Sequence, residues 1–276
     1  ESPPAISCSG FAQSRHPATL PQESSPLSTT KPLLIIAGNG RYPFQLAQAA
    51  RRSGVPRIFA AAFENETDPS LADHVDDLRW LKVGQIGKLL AYARERGVSQ
   101  AMMAGQIAPK NLFDLRPDFA ALLILAKLKE RNAETLFGAV AEALAKEGVQ
   151  LLPATTFLED ALAPQGHFAG PAPRRRAHQD VAFGLQIAKE VSRLDIGQTV
   201  VVRNGTVLAV EAFEGTNEAI KRGALLGRSQ AVAVKVSKPN QDFRFDVPVI
   251  GPLTLEVGAE AGLSVLAVEA GRTLLI

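Results

Sequence analysis

The chain has 276 residues, 46% hydrophobic and 21% charged, enough apolar chain for one large globular domain or two ordinary ones. A net charge of +2 and few aromatic residues, with no basic stripe among them, give no electrostatic case for a nucleic-acid partner, and none is expected. A single cysteine, Cys8, excludes a disulfide framework and a cysteine metal cage, and no apolar run approaches the roughly 20 residues of a membrane-spanning helix.

Residues 1–30 are rich in Ser and Pro and lack the basic start and apolar run of a signal peptide, so they read as a disordered tail. "PLLIIAGNGRYPFQLAQAARRSGV" then gives a short apolar strand, a glycine turn and an amphipathic helix, and "RIFAAAF" a second buried strand. "LRWLKVG" is a weak third strand and "QIGKLLAYARERGV" a helix with Gly97 past its end. "SQAMMAGQIAP" is a buried strand entering another glycine turn. Two helices follow, "DFAALLILAKLKE" and "NAETLFGAVAEALAKEGV", and then the strand "QLLPATTF". Strands alternating with helices predict a parallel, doubly wound sheet.

"APQGHFAGPAPRRRAHQD" breaks that pattern, and its Gly, Pro and basic content suits a linker. Beyond the helix "VAFGLQIAKEVSRL" the grammar changes. "TVVVRNGTVLAVEAF" is a hairpin around Asn204-Gly205, "AVAVKVS" a strand, and "LSVLAVEAGRTLLI" a second hairpin-like pair. The fold class is α/β: an N-terminal Rossmann-like parallel-sheet domain over residues 31–163, a linker over 164–178, and a smaller C-terminal mixed α+β domain over 179–276.

Four stretches carry candidate chemistry. In "AGNGRYPFQLA", Gly38, Asn39 and Gly40 precede a helix N-terminus, which either cradles a phosphate on free N–H groups or simply joins strand to helix. Pro43 stands where the dinucleotide fingerprint has its third glycine, which argues against a nicotinamide cofactor, and Glu64 lies near where a ribose-binding acid is expected. Gly105 and Gln106 form a second strand-end turn that either faces the same crevice or is only a turn. In "VEAFEGTNEAIKRG", Val210 to Gly223, Glu211 and Glu214 flank a Gly-Thr-Asn turn; in "KPNQDFRFDVPVIG", Lys238 to Gly251, Asp242 and Asp246 lie four apart beside Lys238 and Arg244. Such acids either are solvated loop residues or suit a hard cation held by one or two carboxylates plus substrate phosphates. The apolar run Phe119 to Lys129 reads as a helix buried against the sheet in preference to a lipid surface. His16, His74, His167 and His178 show no metal-ligand spacing.

Taken in order, "IAGNGRYPFQLA", "AGQIAPKNLFDLRPD", "RLDIGQTVVVRNGTVLAVEAFEGTNEAI", "KPNQDFRFDVPVIGPLT" and "AGLSVLAVEAGRTLLI" resemble the LpxI-type UDP-2,3-diacylglucosamine pyrophosphatases of lipid A biosynthesis in Gram-negative bacteria, over about Pro32 to Ile276. The resemblance implies hydrolysis of UDP-2,3-diacylglucosamine to 2,3-diacylglucosamine 1-phosphate (lipid X) and UMP, with water attacking the α-phosphorus and Mg²⁺ (or Mn²⁺) as cofactor. It implies two domains with substrate between them, and a cytoplasmic enzyme peripheral to the inner membrane; a homodimer is the assembly to test. Asp246 occupies the family's essential aspartate in R-x-D-x-P-x-I-G and is expected to be catalytic and a metal ligand. The remaining roles are our assignment on matching motifs: Glu214 catalytic; Glu211 and Asp242 metal ligands; Gly38, Asn39, Gly40, Gly105, Gln106, Thr216, Lys238, Gln241 and Arg244 substrate-binding. Asn217 replaces the aspartate of the family's E-G-T-D motif, and the chain is expected to lack a final helix. The alternatives are a non-catalytic nucleotide-sugar or lipid-binding protein of the same fold and, against Pro43, a nicotinamide-dependent oxidoreductase.

Overall fold

The computed structural model of this chain describes residues 5–8, 30–107, 117–126, 128, 133–239 and 241–276. Most of the expected motif from Ala108 to Arg116 lies outside the described residues, as does most of the 1–30 tail. Contacts divide the chain into two compact units.

The N-terminal unit spans 18–159 and also takes residues 242–246. Its strands are β2 (Leu33–Ala37), β3 (Ile58–Phe63), β4 (Asp77–Leu81), β5 (Gln100–Ala104) and β6 (Gln150–Leu151), in the order β4-β3-β2-β5-β6, and every pairing is parallel. Among the described residues four α-helices accompany them: α1 (Tyr42–Arg52), α2 (Ile86–Glu95), α3 (Phe119–Leu125) and α4 (Ala133–Lys146). β2, β3 and β5 are buried at every position, because helices cover both faces of a parallel sheet. Leu34, Ile36, Phe59, Ala61, Ala101 and Met103 share one core with Leu89 and Tyr92 of α2 and Ala141 and Leu144 of α4. The expected strand "QLLPATTF" shortens to β6, since Pro153 has no N–H to extend a ladder.

The expectation of a buried α3 is overturned. Only Ala121 of this helix is buried, while Phe119, Leu122 and Leu123 are exposed. Small residues make the contact instead: a Cβ on Gly87 of α2 would meet the Asp118 carboxylate at 3.0 Å and the Ala120 methyl at 3.3 Å.

The C-terminal unit comprises residues 1–17, 160–241 and 247–276. Its strands β1 (Ala5–Cys8), β7 (Gly166–Ala169), β8 (Thr199–Arg203), β9 (Thr206–Val210), β10 (Val232–Lys235) and β12 (Val265–Val268) form a mixed sheet ordered β7-β1-β12-β10-β8-β9. β1 lies in the stretch expected to be a disordered tail, and pairs parallel with β12 and antiparallel with β7. The expected linker 164–178 contains β7 and the start of helix α5 (Arg175–Arg193), because pairing with β1 gives those residues a ladder. Two short strands, β11 (Val249–Ile250) and β13 (Leu274–Leu275), pair in parallel. "LSVLAVEAGRTLLI" is therefore not a hairpin: β12 pairs with β10 and β1, and the Ala270–Arg272 turn sends β13 to β11.

Alternation in the C-terminal sheet sorts its two faces. Val200, Val202, Val232 and Val234 pack with Val181 and Ala188 of α5. Val201, Ala209 and Ala233 pack with Ile220 and Ala224 of α6 (Thr216–Gly227) and Val257 of α7 (Pro252–Glu260). The β8–β9 hairpin turns at Asn204 and Gly205, both at positive φ, and the buried Asp180 carboxylate accepts both their amides at 2.9 Å.

Candidate functional site

In the N-terminal unit the carboxyl ends of β2 and β5 carry the two glycine turns side by side. The Gly38 amide donates to Ala104 O at 2.8 Å, and Asn39 and Gln106 exchange backbone hydrogen bonds of 2.8 and 3.3 Å. A Cβ on Gly38 would collide with the Gln106 carbonyl, and one on Gly105 with the Asn39 backbone. These two glycines therefore serve each other's turns. Gly40 differs: it is exposed, has φ +88°, and nothing lies within 4 Å of its Cβ position. It is the member of the set open to a ligand, directly before α1, whose first turn has no side-chain cap on its free amides.

The acid at this turn is Glu66 and not Glu64. Glu66 is buried and its carboxylate accepts from Asn39 Nδ2 at 2.9 Å, whereas Glu64 is exposed and 3.9 Å from Lys82. Register alone does not distinguish them; the turn after β3 does, where Thr67 Oγ1 donates to Ala37 O at 2.6 Å and draws Glu66 inward.

Asp242, Arg244 and Asp246 fall in the N-terminal unit, although the expected boundaries put them in the C-terminal domain. The chain leaves the C-terminal unit after Gln241 and re-enters it at Val247. Between them it makes one tight turn, in which the Phe245 and Asp246 amides donate to Asp242 O at 3.2 and 2.9 Å. Phe245 packs on the N-terminal core, 5.8 Å from the Phe137 ring, and Phe243 O accepts the Ala154 amide at 2.7 Å. Ala154 O in turn accepts the hydroxyl of Tyr42, the first residue of α1, whose pKa burial pushes up.

Within this turn the acids are not equivalent. Asp242 accepts Arg244 Nε at 2.9 and 3.1 Å, Arg244 Nη2 at 2.6 Å and the Arg244 amide at 3.0 Å; the guanidinium holds its pKa below the usual carboxylate value. The half-buried Asp246 carboxylate has no hydrogen-bond or ion-pair partner among the described residues.

The C-terminal unit assembles the other predicted residues in two groups. At the start of α6, the buried Lys235 donates to Thr216 Oγ1 at 2.8 Å, and Thr216 donates to the buried Glu211 at 2.8 Å. Glu214 stands apart on the surface, where backbone amides, its own first, and Arg222 at 2.7 Å hold its pKa down. After β10, the Lys238 amide donates to Gln241 Oε1 at 2.8 Å and the Lys238 ammonium pairs with Asp195, while Gln241 Nε2 is buried without a partner among the described residues. Beside these lies a cluster that the motif reading missed. Glu269, just past β12, accepts Lys189 Nζ at 2.7 Å, Ser237 Oγ at 2.6 Å and the Ser237 amide at 2.8 Å. In the sequence, Glu269 lies within "VEAGRT", whose apolar neighbours signal only a strand.

Among the described residues no group of three or more His, Cys, Asp or Glu side chains could hold a metal. Of the three expected ligands, Asp242 is committed to Arg244 and Glu211 to Thr216, and Glu211 lies in the other unit. The donor set is thus a single uncommitted carboxylate, which fits a hard cation that brings phosphate oxygens with it and does not fit an all-protein cage.

These features define an α/β protein of two units, with paired glycine turns at the carboxyl edge of a parallel sheet and an acidic turn in the same unit. The chain matches the LpxI N-terminal domain over residues 32–161 and the LpxI C-terminal domain over residues 164–276. A curated relative from Caulobacter vibrioides, named UDP-2,3-diacylglucosamine pyrophosphatase LpxI, is 33% identical over 254 residues, covering 88% of this chain and 89% of its own. The chain belongs to the LpxI family, and by that membership it is a hydrolase. Among solved structures, a Rhizobium etli pyruvate carboxylase (12% identity, TM-score 0.29, 68% of this chain and 15% of that one) and the biotin carboxylase domain of Hydrogenobacter thermophilus 2-oxoglutarate carboxylase (13%, 0.27, 64% and 35%) are similar too weakly to carry an argument.

Proposed function

We propose that this chain hydrolyses the pyrophosphate of UDP-2,3-diacylglucosamine to UMP and 2,3-diacylglucosamine 1-phosphate in lipid A biosynthesis. The substrate is the one in the curated relative's name, and membership of the same family supports it for this chain. The observation that supports the chemistry is Asp246: a carboxylate with no partner among the described residues, on a hydrogen-bonded turn of the unit that holds the glycine turns.

In this reading Gly40 and the first amides of α1 receive diphosphate oxygens, and Asn39 is held in place by Glu66. Arg244, already neutralising Asp242, keeps that acid from repelling the substrate. Asp246 orients the attacking water and accepts its proton. The water oxygen bonds to the α-phosphorus as the bond from that phosphorus to the bridging oxygen breaks, and the electron pair leaves with the sugar phosphate. Mg²⁺ (or Mn²⁺), held by Asp246 and substrate phosphate oxygens, would supply charge neutralisation. In the C-terminal unit, Glu211, Thr216 and Lys235 shape the start of α6. No helix among the described residues is long and apolar enough to cross a membrane. In this reading the lipid substrate is met by peripheral contact at the cytoplasmic surface of the inner membrane, as the resemblance implies.

The test is release of UMP from UDP-2,3-diacylglucosamine in mixed micelles, with Mg²⁺ and with EDTA. The reading expects turnover that EDTA abolishes and Mg²⁺ restores. Tight substrate binding by folded protein without UMP release would instead favour a binding protein.

A further inference from the structure

Helix α3 is amphipathic in the reverse sense. Ala121 is buried and Ala120 lies toward Gly87 of α2, whereas three of the helix's large residues face solvent, Phe119 at 76% exposed, Leu122 at 52% and Leu123 at 51%; Ile124 and Leu125 are half-buried. Positions 119, 122 and 123 follow the i, i+3, i+4 spacing of one helical stripe. Three large apolar residues on one exposed stripe are more than the scattered singles a surface normally shows.

The placement of α3 connects this stripe to the glycine turns. Asp118 caps α3 by accepting the Ala121 amide at 3.0 Å, and it caps α2 as well, accepting Gly87 N at 2.8 Å and Lys88 N at 3.3 Å; its own amide donates to Gly84 O at 3.3 Å. α2 starts just after β4, so its N-terminus lies at the carboxyl edge of the parallel sheet. That edge also carries Gly38 to Gly40 and Gly105 to Gln106.

We propose that the exposed stripe of Phe119, Leu122 and Leu123 receives the fatty-acyl chains of the substrate whose diphosphate lies at the glycine turns. This rests on the proposed function, which supplies a ligand with a polar diphosphate and two acyl chains on one sugar. A ligand of that shape needs apolar protein surface beside a phosphate site, and α3 provides it on the same sheet edge. Acyl chains laid on the stripe would remove these side chains from water in the complex.

The test uses the full chain carrying Phe119→Ser, Leu122→Ser and Leu123→Ser together, with Leu122→Gln alone as a milder variant. The positions are solvent-facing, so the melting temperature should stay close to wild type. With UDP-2,3-diacylglucosamine in micelles, KM should rise by about tenfold or more in the triple variant, with kcat within about twofold and UDP affinity unchanged. The single variant should shift KM in the same direction by less. Unchanged KM in both variants would overturn the inference. So would a defect seen with substrate in phosphatidylethanolamine–phosphatidylglycerol vesicles and absent in micelles, which makes the stripe a membrane contact. Should the wild type release no UMP, the hydrolase reading fails by itself, and calorimetric binding of 2,3-diacylglucosamine 1-phosphate decides: about tenfold weaker binding by the triple variant supports the stripe, and equal binding refutes it.

Discussion

The amide of Ala154 donates to the carbonyl of Phe243 at 2.7 Å, and this bond joins the acidic turn to the strand-end region of the N-terminal unit. The acidic turn is thus supported by one unit, although the chain on both sides of it belongs to the other. In the proposed mechanism the precision of Asp246 depends on that support.

Phe245 supplies the side-chain part of it, packed on the N-terminal core beside Phe137. Phe245→Ala should lower stability by about 2 kcal/mol, below the roughly 3–5 kcal/mol of a fully buried Phe→Ala because the ring is only half-buried. Phe137→Ala serves as a control that empties the same contact from the core side and leaves the residues of the turn unchanged. Urea melts should show comparable losses for the two, but the loss of kcat should be several-fold larger for Phe245→Ala. Equal rate losses would mean the turn is not the sensitive element.

The three glycines of the paired turns should separate in their response. Gly38→Ala drives a methyl into the Gln106 carbonyl and should cost about 2 kcal/mol or more, since backbone must move. Gly40→Ala meets no neighbour and should cost about 1 kcal/mol from its positive φ, yet it should weaken UDP binding more than Gly38→Ala does per unit of stability lost. Urea midpoints and UDP calorimetry measured together check this; a Gly40 variant with wild-type UDP affinity would remove that turn from the site.

Glu269 gives a pH signature. Burial alone would raise its pKa, but the hydrogen bonds from Lys189 and Ser237 outweigh it, so the carboxylate is held below its ordinary value of roughly 4.3. A depressed folded-state pKa contributes stability above the unfolded value and loses it as pH falls through the folded one. Glu269→Gln should therefore melt lower than wild type at pH 7, and the gap should narrow below about pH 4. A gap constant across that range would show that the charge on Glu269 contributes nothing.

Much of the fold was legible because its signals are local. Buried runs ending in glycine turns announce β2 and β5, and Asn204-Gly205 announces the β8–β9 hairpin. Pairings made at long range were not: β1 has no pattern of its own beyond four residues, and β13 looks like a hairpin partner of β12 until β11 claims it. The α3 stripe deceived for a related reason, since its periodicity gives a helix with an apolar face but not the direction that face points. At the candidate site, Asp246 and the glycine turns stand in motifs, whereas Glu66, Lys235 and Glu269 matter through partners 19 to 80 residues away in sequence. Unit membership of the Asp242–Asp246 turn depends on where Phe243 and Phe245 find partners, which sequence order does not express.

UMP release by Asp246→Ala and Asp246→Asn tests whether Asp246 drives the hydrolysis. Both variants should keep the wild-type melting temperature within a few degrees and still bind UDP-2,3-diacylglucosamine, with kcat lower by about 10²-fold or more in saturating Mg²⁺. Turnover within a few-fold of wild type in either folded variant would contradict the account.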